Sequence, residues 1–122
     1  MGVEVGWDDD EKTILRWASW GAPTTEEFEQ AIEVVKELLA ETDEPVCLII
    51  DDRDLGRIPP DLLSRFPQIA GDMSGRLKRV IVVGVGGPAR AFGQMFSRVF
   101  EKPELVATLE EAYTLIEEAG QS

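Results

Sequence analysis

Two short stretches constrain this chain more than anything else in it: Val46-Cys47-Leu48-Ile49-Ile50, and the Val80-Ile81-Val82-Val83 run inside residues 79–84. A strand with one face in water alternates apolar and polar residues, because successive side chains point to opposite faces. These two runs do not alternate. They are rich in β-branched residues and too short for a buried helix. They therefore read as strands covered on both sides, the usual condition of a parallel sheet under helices. Parallel neighbours need a crossover between them, and the intervening sequence has to supply it.

The sequence between and around the runs has helical spacing. After Thr24, the residues Phe28, Ala31, Ile32, Val35, Leu38 and Leu39 form one apolar stripe, and Thr24 with Glu27 makes a capping box. Pro59 and Pro60 suit the entry of a helix over 60–70, with Leu62, Leu63, Phe66, Ile69 and Ala70 inward. A helix from Pro88 to Phe100 turns Ala91, Phe92, Met95, Phe96, Val99 and Phe100 inward, and residues 104–108 are a short strand. The last helix starts at Thr108, with Glu111 as its capping partner and Leu109, Ala112, Tyr113 and Ile116 on its apolar face.

The chain opens with strands over 3–6 and 12–20, joined by the acidic turn Asp8-Asp9-Asp10-Glu11, whose side chains can bond nearby backbone groups. The order is ββαβαβαβα, an α/β fold with a mixed, mostly parallel five-stranded sheet. Crossovers between parallel strands are right-handed, so adding each strand beside the last puts the helices mainly on one face. No repeat or linker divides the sequence, and residues 1–122 read as a single domain.

Charge and composition exclude several classes of function. Twelve basic residues stand against 24 acidic ones, a net charge of −12. No basic cluster is present to neutralise phosphates, so nucleic acid and anionic membrane surfaces are not expected partners. The acidic surface either keeps the protein soluble or fits a basic partner protein. No run reaches the roughly 18 apolar residues of a membrane span, and the first residues lack the basic start and apolar core of a signal peptide. Cys47 is the single cysteine and sits in an apolar run, which reads as a buried, inert thiol. A cytoplasmic location is expected. The sequence has no histidine, which removes Ser-His-Asp and Cys-His arrangements and the usual zinc ligand sets. The expectation is a non-enzymatic protein without metal or cofactor.

The strand ending Leu48-Ile49-Ile50-Asp51, the following Arg53, Pro59-Pro60 ahead of a helix, and Thr108-Leu109-Glu110-Glu111-Ala112 at the last helix resemble STAS domains. These are the SpoIIAA-like fold of anti-sigma-factor antagonists, here in its STAS-like bacterial subgroup. The resemblance implies the same element order over nearly the whole chain and a role in protein–protein contact in bacterial regulation. The antagonists carry an Asp-Ser-Ser-Gly-type segment whose serine is phosphorylated by a partner kinase. Residues 51–60 here read DDRDLGRIPP and hold no Ser or Thr. Some proteins of the wider group are thought to bind lipophilic molecules, so the resemblance also permits a carrier or sensor of a small lipophilic ligand.

Three places could carry function. Trp7, Leu15, Trp17 and Trp20 belong to the opening hairpin; they are either core or an aromatic surface for a homodimer or partner protein. Gly84, Gly86, Gly87 and Arg90 lie where G-x-G-x-x-A enters a helix; they form either a nucleotide or anion cradle or a tight strand-to-helix turn. The nucleotide reading is weakened by position, because the motif follows the fourth strand and the next strand ends without an acid for a ribose. Asp51, Asp52 and Asp54, with Arg53, are either a ligand or Mg²⁺ site at a strand end or a turn with its own ion pairs. Met95, Phe96 and Phe100 either pack the core or line a greasy pocket.

Overall fold

The computed structural model describes residues 2–73, 75–100 and 103–120. The chain runs β1 (Val3–Trp7), β2 (Ile14–Gly21), α1 (Thr25–Leu39), β3 (Val46–Leu55), α2 (Pro60–Ala70), β4 (Leu77–Val83), α3 (Gly87–Phe96), β5 (Glu104–Val106) and α4 (Leu109–Gly120). The sheet order is β1-β2-β3-β4-β5. β1 and β2 pair antiparallel, and every other pair is parallel. The mixed α/β architecture expected from the two apolar runs is the one observed.

The sheet has two unequal faces. On the inner face, Leu15, Trp17, Leu48, Ile50, Val80 and Val82 pack against α1, α2 and α3. A chain of rings fills this side: Trp17, Phe28 and Phe92 lie with centroids 5.8–6.0 Å apart, and Phe92, Phe96 and Phe66 continue the contact at 5.3 and 4.7 Å. On the outer face, Ile49, Ile81 and Val83 are covered by α4 through Leu109, Ala112, Tyr113 and Ile116. Both apolar runs are therefore buried twice over, as their sequence requires. Arg79 ties the outer layer together, pairing with Glu104 at 2.5 Å and donating to the Leu115 carbonyl at 2.9 Å.

Several boundaries differ from the sequence reading. β3 runs on to Leu55, five residues past the apolar run. Its partner β2 takes two steps from Ala18 to Trp20 while β3 takes three, from Asp51 to Asp54. This bulge reverses the alternation, so Leu55 returns to the inner core. α3 ends at Phe96 rather than Phe100. Val99 and Phe100 still pack on the core from the turn that follows, with Phe100 stacked on Phe96 at 5.5 Å. Leu63 is 37% exposed, not inward, because α2 presents Leu62, Phe66 and Ala70 to the sheet. The capping box at Thr24 and Glu27 forms, and the Thr108 hydroxyl accepts from the Glu111 N–H at 3.1 Å.

Candidate functional site

β2 to β5 run parallel, so their C-terminal ends and the starts of all four helices gather at one end of the sheet. Ligand sites of open α/β sheets lie at such an end. Here it holds Asp51 to Asp54 on β3 and the Gly84–Gly87 turn after β4.

Strand alternation sends the adjacent acids to opposite faces. Asp51 faces outward, where Arg53 grips it through two hydrogen bonds of 2.8 Å and Arg16 reaches it at 3.5 Å. The Arg53 hydrogen bonds hold its carboxyl below the usual range, against the opposing effect of burial. Asp52 faces inward and is 2% exposed, with neither carboxyl oxygen hydrogen-bonded. Burial pushes its pKa up to about 7. The Ser19 hydroxyl pulls the other way without closing a normal hydrogen bond, and the Asp51 charge adds to the rise. Ser19 itself is buried and accepts the Trp17 Nε1–H at 2.6 Å. Asp51 and Asp52 thus point apart, and no metal-binding group of acids, histidines or cysteines occurs among the described residues.

The glycine turn divides in the same way. Gly84 has φ +149°, and a Cβ there would stand 2.8 Å from the Ala89 side chain and 3.3 Å from the Asp52 carbonyl. It lets the first turn of α3 close onto the strand end. Added Cβ atoms at Gly86 and Gly87 meet nothing nearer than 3.7 Å, and both residues are exposed. Arg90 is exposed on the same helix start, while Arg53 is engaged by Asp51. The structure brings Gly84 against β3 and Arg53 against Asp51. It requires one glycine of the three for packing.

The opening hairpin requires a correction. Leu15 and Trp17 are 0% and 1% exposed, so neither offers a surface. They point toward the helices, and Trp17 lies between Phe28 and Phe92. Trp7 is half-buried, packs beside α1 and donates its Nε1–H to Glu41 at 3.3 Å. Trp20 alone of the three is well exposed, at 41%. Met95 and Phe96 are buried among the rings and fill space rather than line it.

α4 covers the outer face of β3 to β5 and reaches the hairpin near its turn, at Ile14 and Asp8. Beside it, Glu4, Gly6, Asp8, Arg16 and Ala18 line a shallow groove of about 320 Å³. Tyr113 of α4 donates its hydroxyl to Asp8, one of the lining residues, at 3.0 Å. The sequence reading named neither Asp52 as an isolated inward acid nor this groove. The phase of Asp52 with Leu48 and Ile50 was the available signal for the first; nothing local signalled the second.

No family model matches the sequence, and no curated protein does. Among solved structures, the chain is similar to an uncharacterised protein of the DUF3478 family from Shewanella loihica PV-4, described as having a SpoIIAA-like fold. The TM-score is 0.73 at 17% sequence identity, over 93% of each chain. The fold is SpoIIAA-like, in agreement with the resemblance read from the sequence. No helix among the described residues is long and apolar enough to cross a membrane.

Proposed function

We propose that the chain is a protein-binding module of bacterial regulation with no catalytic role of its own, and that its contact surface is the half of the outer sheet face that α4 leaves open. One observation carries this reading: Trp20 stands 41% exposed where Trp17, three residues earlier, is sealed at 1%. By strand alternation Trp20 shares its face with Arg16 and Ala18, which line the groove. A tryptophan at the margin of an open face is the residue type that most often anchors an interface. Asp51 and its two arginines are engaged with one another, which suits a scaffold better than reaction chemistry. Residues 51–60 hold no hydroxyl side chain, so this binding is not gated by phosphorylation there.

The first partner in this reading is a second copy of the chain. Sedimentation equilibrium tests it. The parent should dimerise in the micromolar range, and Trp20→Ala should weaken the dimer by about tenfold, the equivalent of about 1.4 kcal/mol at one anchor. A monomeric parent rejects self-association. A dimer indifferent to Trp20→Ala moves the contact elsewhere.

A further inference from the structure

The exposed edge of β1 supports an inference that goes beyond the Trp20 surface and does not depend on it. Two bonds fix how the β1 backbone points: Trp20 N–H donates to the Gly2 carbonyl at 2.9 Å, and Asp8 N–H donates to the Ile14 carbonyl at 2.8 Å. Between them, Glu4 pairs with Ala18 and Gly6 with Arg16. In an antiparallel ladder the hydrogen-bonded pairs alternate. Gly2, Glu4, Gly6 and Asp8 therefore turn their backbone groups toward β2, and Val3, Val5 and Trp7 turn theirs away. β1 is the outermost strand on that side of the sheet. Its sequence, VEVGW, contains no proline or lysine, and its pairing has no bulge; Glu4 is its one charge, so the edge is open to a strand that brings complementary charge.

The two sides of this edge differ in chemistry. On the helix side, Val3, Val5, Ala31 and Val34 line a groove of about 150 Å³ together with Glu27 and Gln30, and Val34 is 37% exposed. On the outer side, Glu4 is exposed and Asp8 stands in the same groove. A second copy is a poor occupant. α1 is held along β1 by Gly2 N–H to Glu27 at 2.9 Å and by Trp7 Nε1–H to Glu41 at 3.3 Å. Paired strands sit about 4.8 Å apart, whereas packed helices need about 8–10 Å. Joining β1 to β1 would force two α1 helices together and set Glu4 of each copy close to the other's edge. A strand that brings no helix of its own meets neither obstacle.

We infer that β1 is a docking edge for an extended segment of a basic partner protein, with apolar side chains at alternate positions and lysine or arginine between them. The segment adds a sixth strand by backbone hydrogen bonds to Val3, Val5 and Trp7, with its apolar side chains in the α1 groove and its cations beside Glu4 and Asp8.

The test is fluorescence anisotropy with a labelled seven-residue peptide of alternating Lys and Val, and a matched peptide of alternating Glu and Val. The parent should bind the lysine peptide and prefer it at least tenfold. Val5→Pro removes an outward N–H while sparing the bonds to β2, and proline is tolerated on edge strands; it should lose at least tenfold. Glu4→Lys should reduce the preference for lysine. Should Val5→Pro fail to fold by circular dichroism, a peptide N-methylated at its central valine must show the same loss. Absence of binding to the parent, equal binding of the two peptides, binding indifferent to Val5→Pro or to N-methylation, or a chain dimer abolished by Val5→Pro would each overturn the inference.

Discussion

Replacing Asp52 by Asn should make the protein more stable at neutral and alkaline pH and leave the advantage smaller in acid. Asp52 is 2% exposed, and its pKa rises from an ordinary 3.8 to about 7. Below about pH 4 the carboxyl is protonated in both the folded and unfolded chain and adds no pH dependence. As pH rises from there to about 7, the unfolded chain gives up the proton while the folded chain keeps it, and stability falls. Above about 7 the loss is complete. About three pKa units at about 1.4 kcal/mol each come to about 4 kcal/mol. The amide has its own buried polar groups to satisfy, at a cost of about 1–3 kcal/mol that does not vary with pH. The signature is therefore the change in the parent–variant difference between pH 4 and pH 8, not its absolute size. Urea unfolding followed by tryptophan fluorescence at several pH values measures it, with Trp17 a natural reporter because it is sealed in the folded state. Two stability curves that run parallel across this range would refute the reasoning, since Asp52 would then be solvated or paired.

Two further outcomes follow from placement. Trp17→Ala should cost about 3–5 kcal/mol by leaving a cavity among Phe28 and Phe92, whereas Trp20→Ala should change monomer stability by no more than about 0.5 kcal/mol; thermal unfolding separates the two. Gly84→Ala should destabilise by about 1–3 kcal/mol, given its φ of +149° and the 2.8 Å clash with Ala89. Gly87→Ala, in the open at the start of α3, should be neutral or stabilising by up to about 1 kcal/mol in the same assay.

The apolar runs at 46–50 and 80–83 made the parallel sheet legible, because only burial on both faces accounts for them. The helix stripes were legible for the same reason, down to the capping box at Thr24. What sequence could not say was which face of β2 the helices would occupy. Alternation puts Leu15 with Trp17 and Ala18 with Trp20, but choosing the wet group depends on where α4 lies, and α4 is about ninety residues away. The split of Asp51 from Asp52 follows from the same alternation once β3 is known to continue past Ile50. It was obscured because consecutive acids read locally as a turn. The bulge that returns Leu55 to the core is set by pairing with β2 and has no local mark.

α4 follows every strand in the order of synthesis, and it covers an apolar strip that α1, α2 and α3 do not reach. A ribosome making this protein will therefore have released nearly all of the sheet while Ile49, Ile81 and Val83 still face water. During that interval the nascent chain is a natural client for chaperones, and a stop codon placed just before Leu109 would make the exposure permanent.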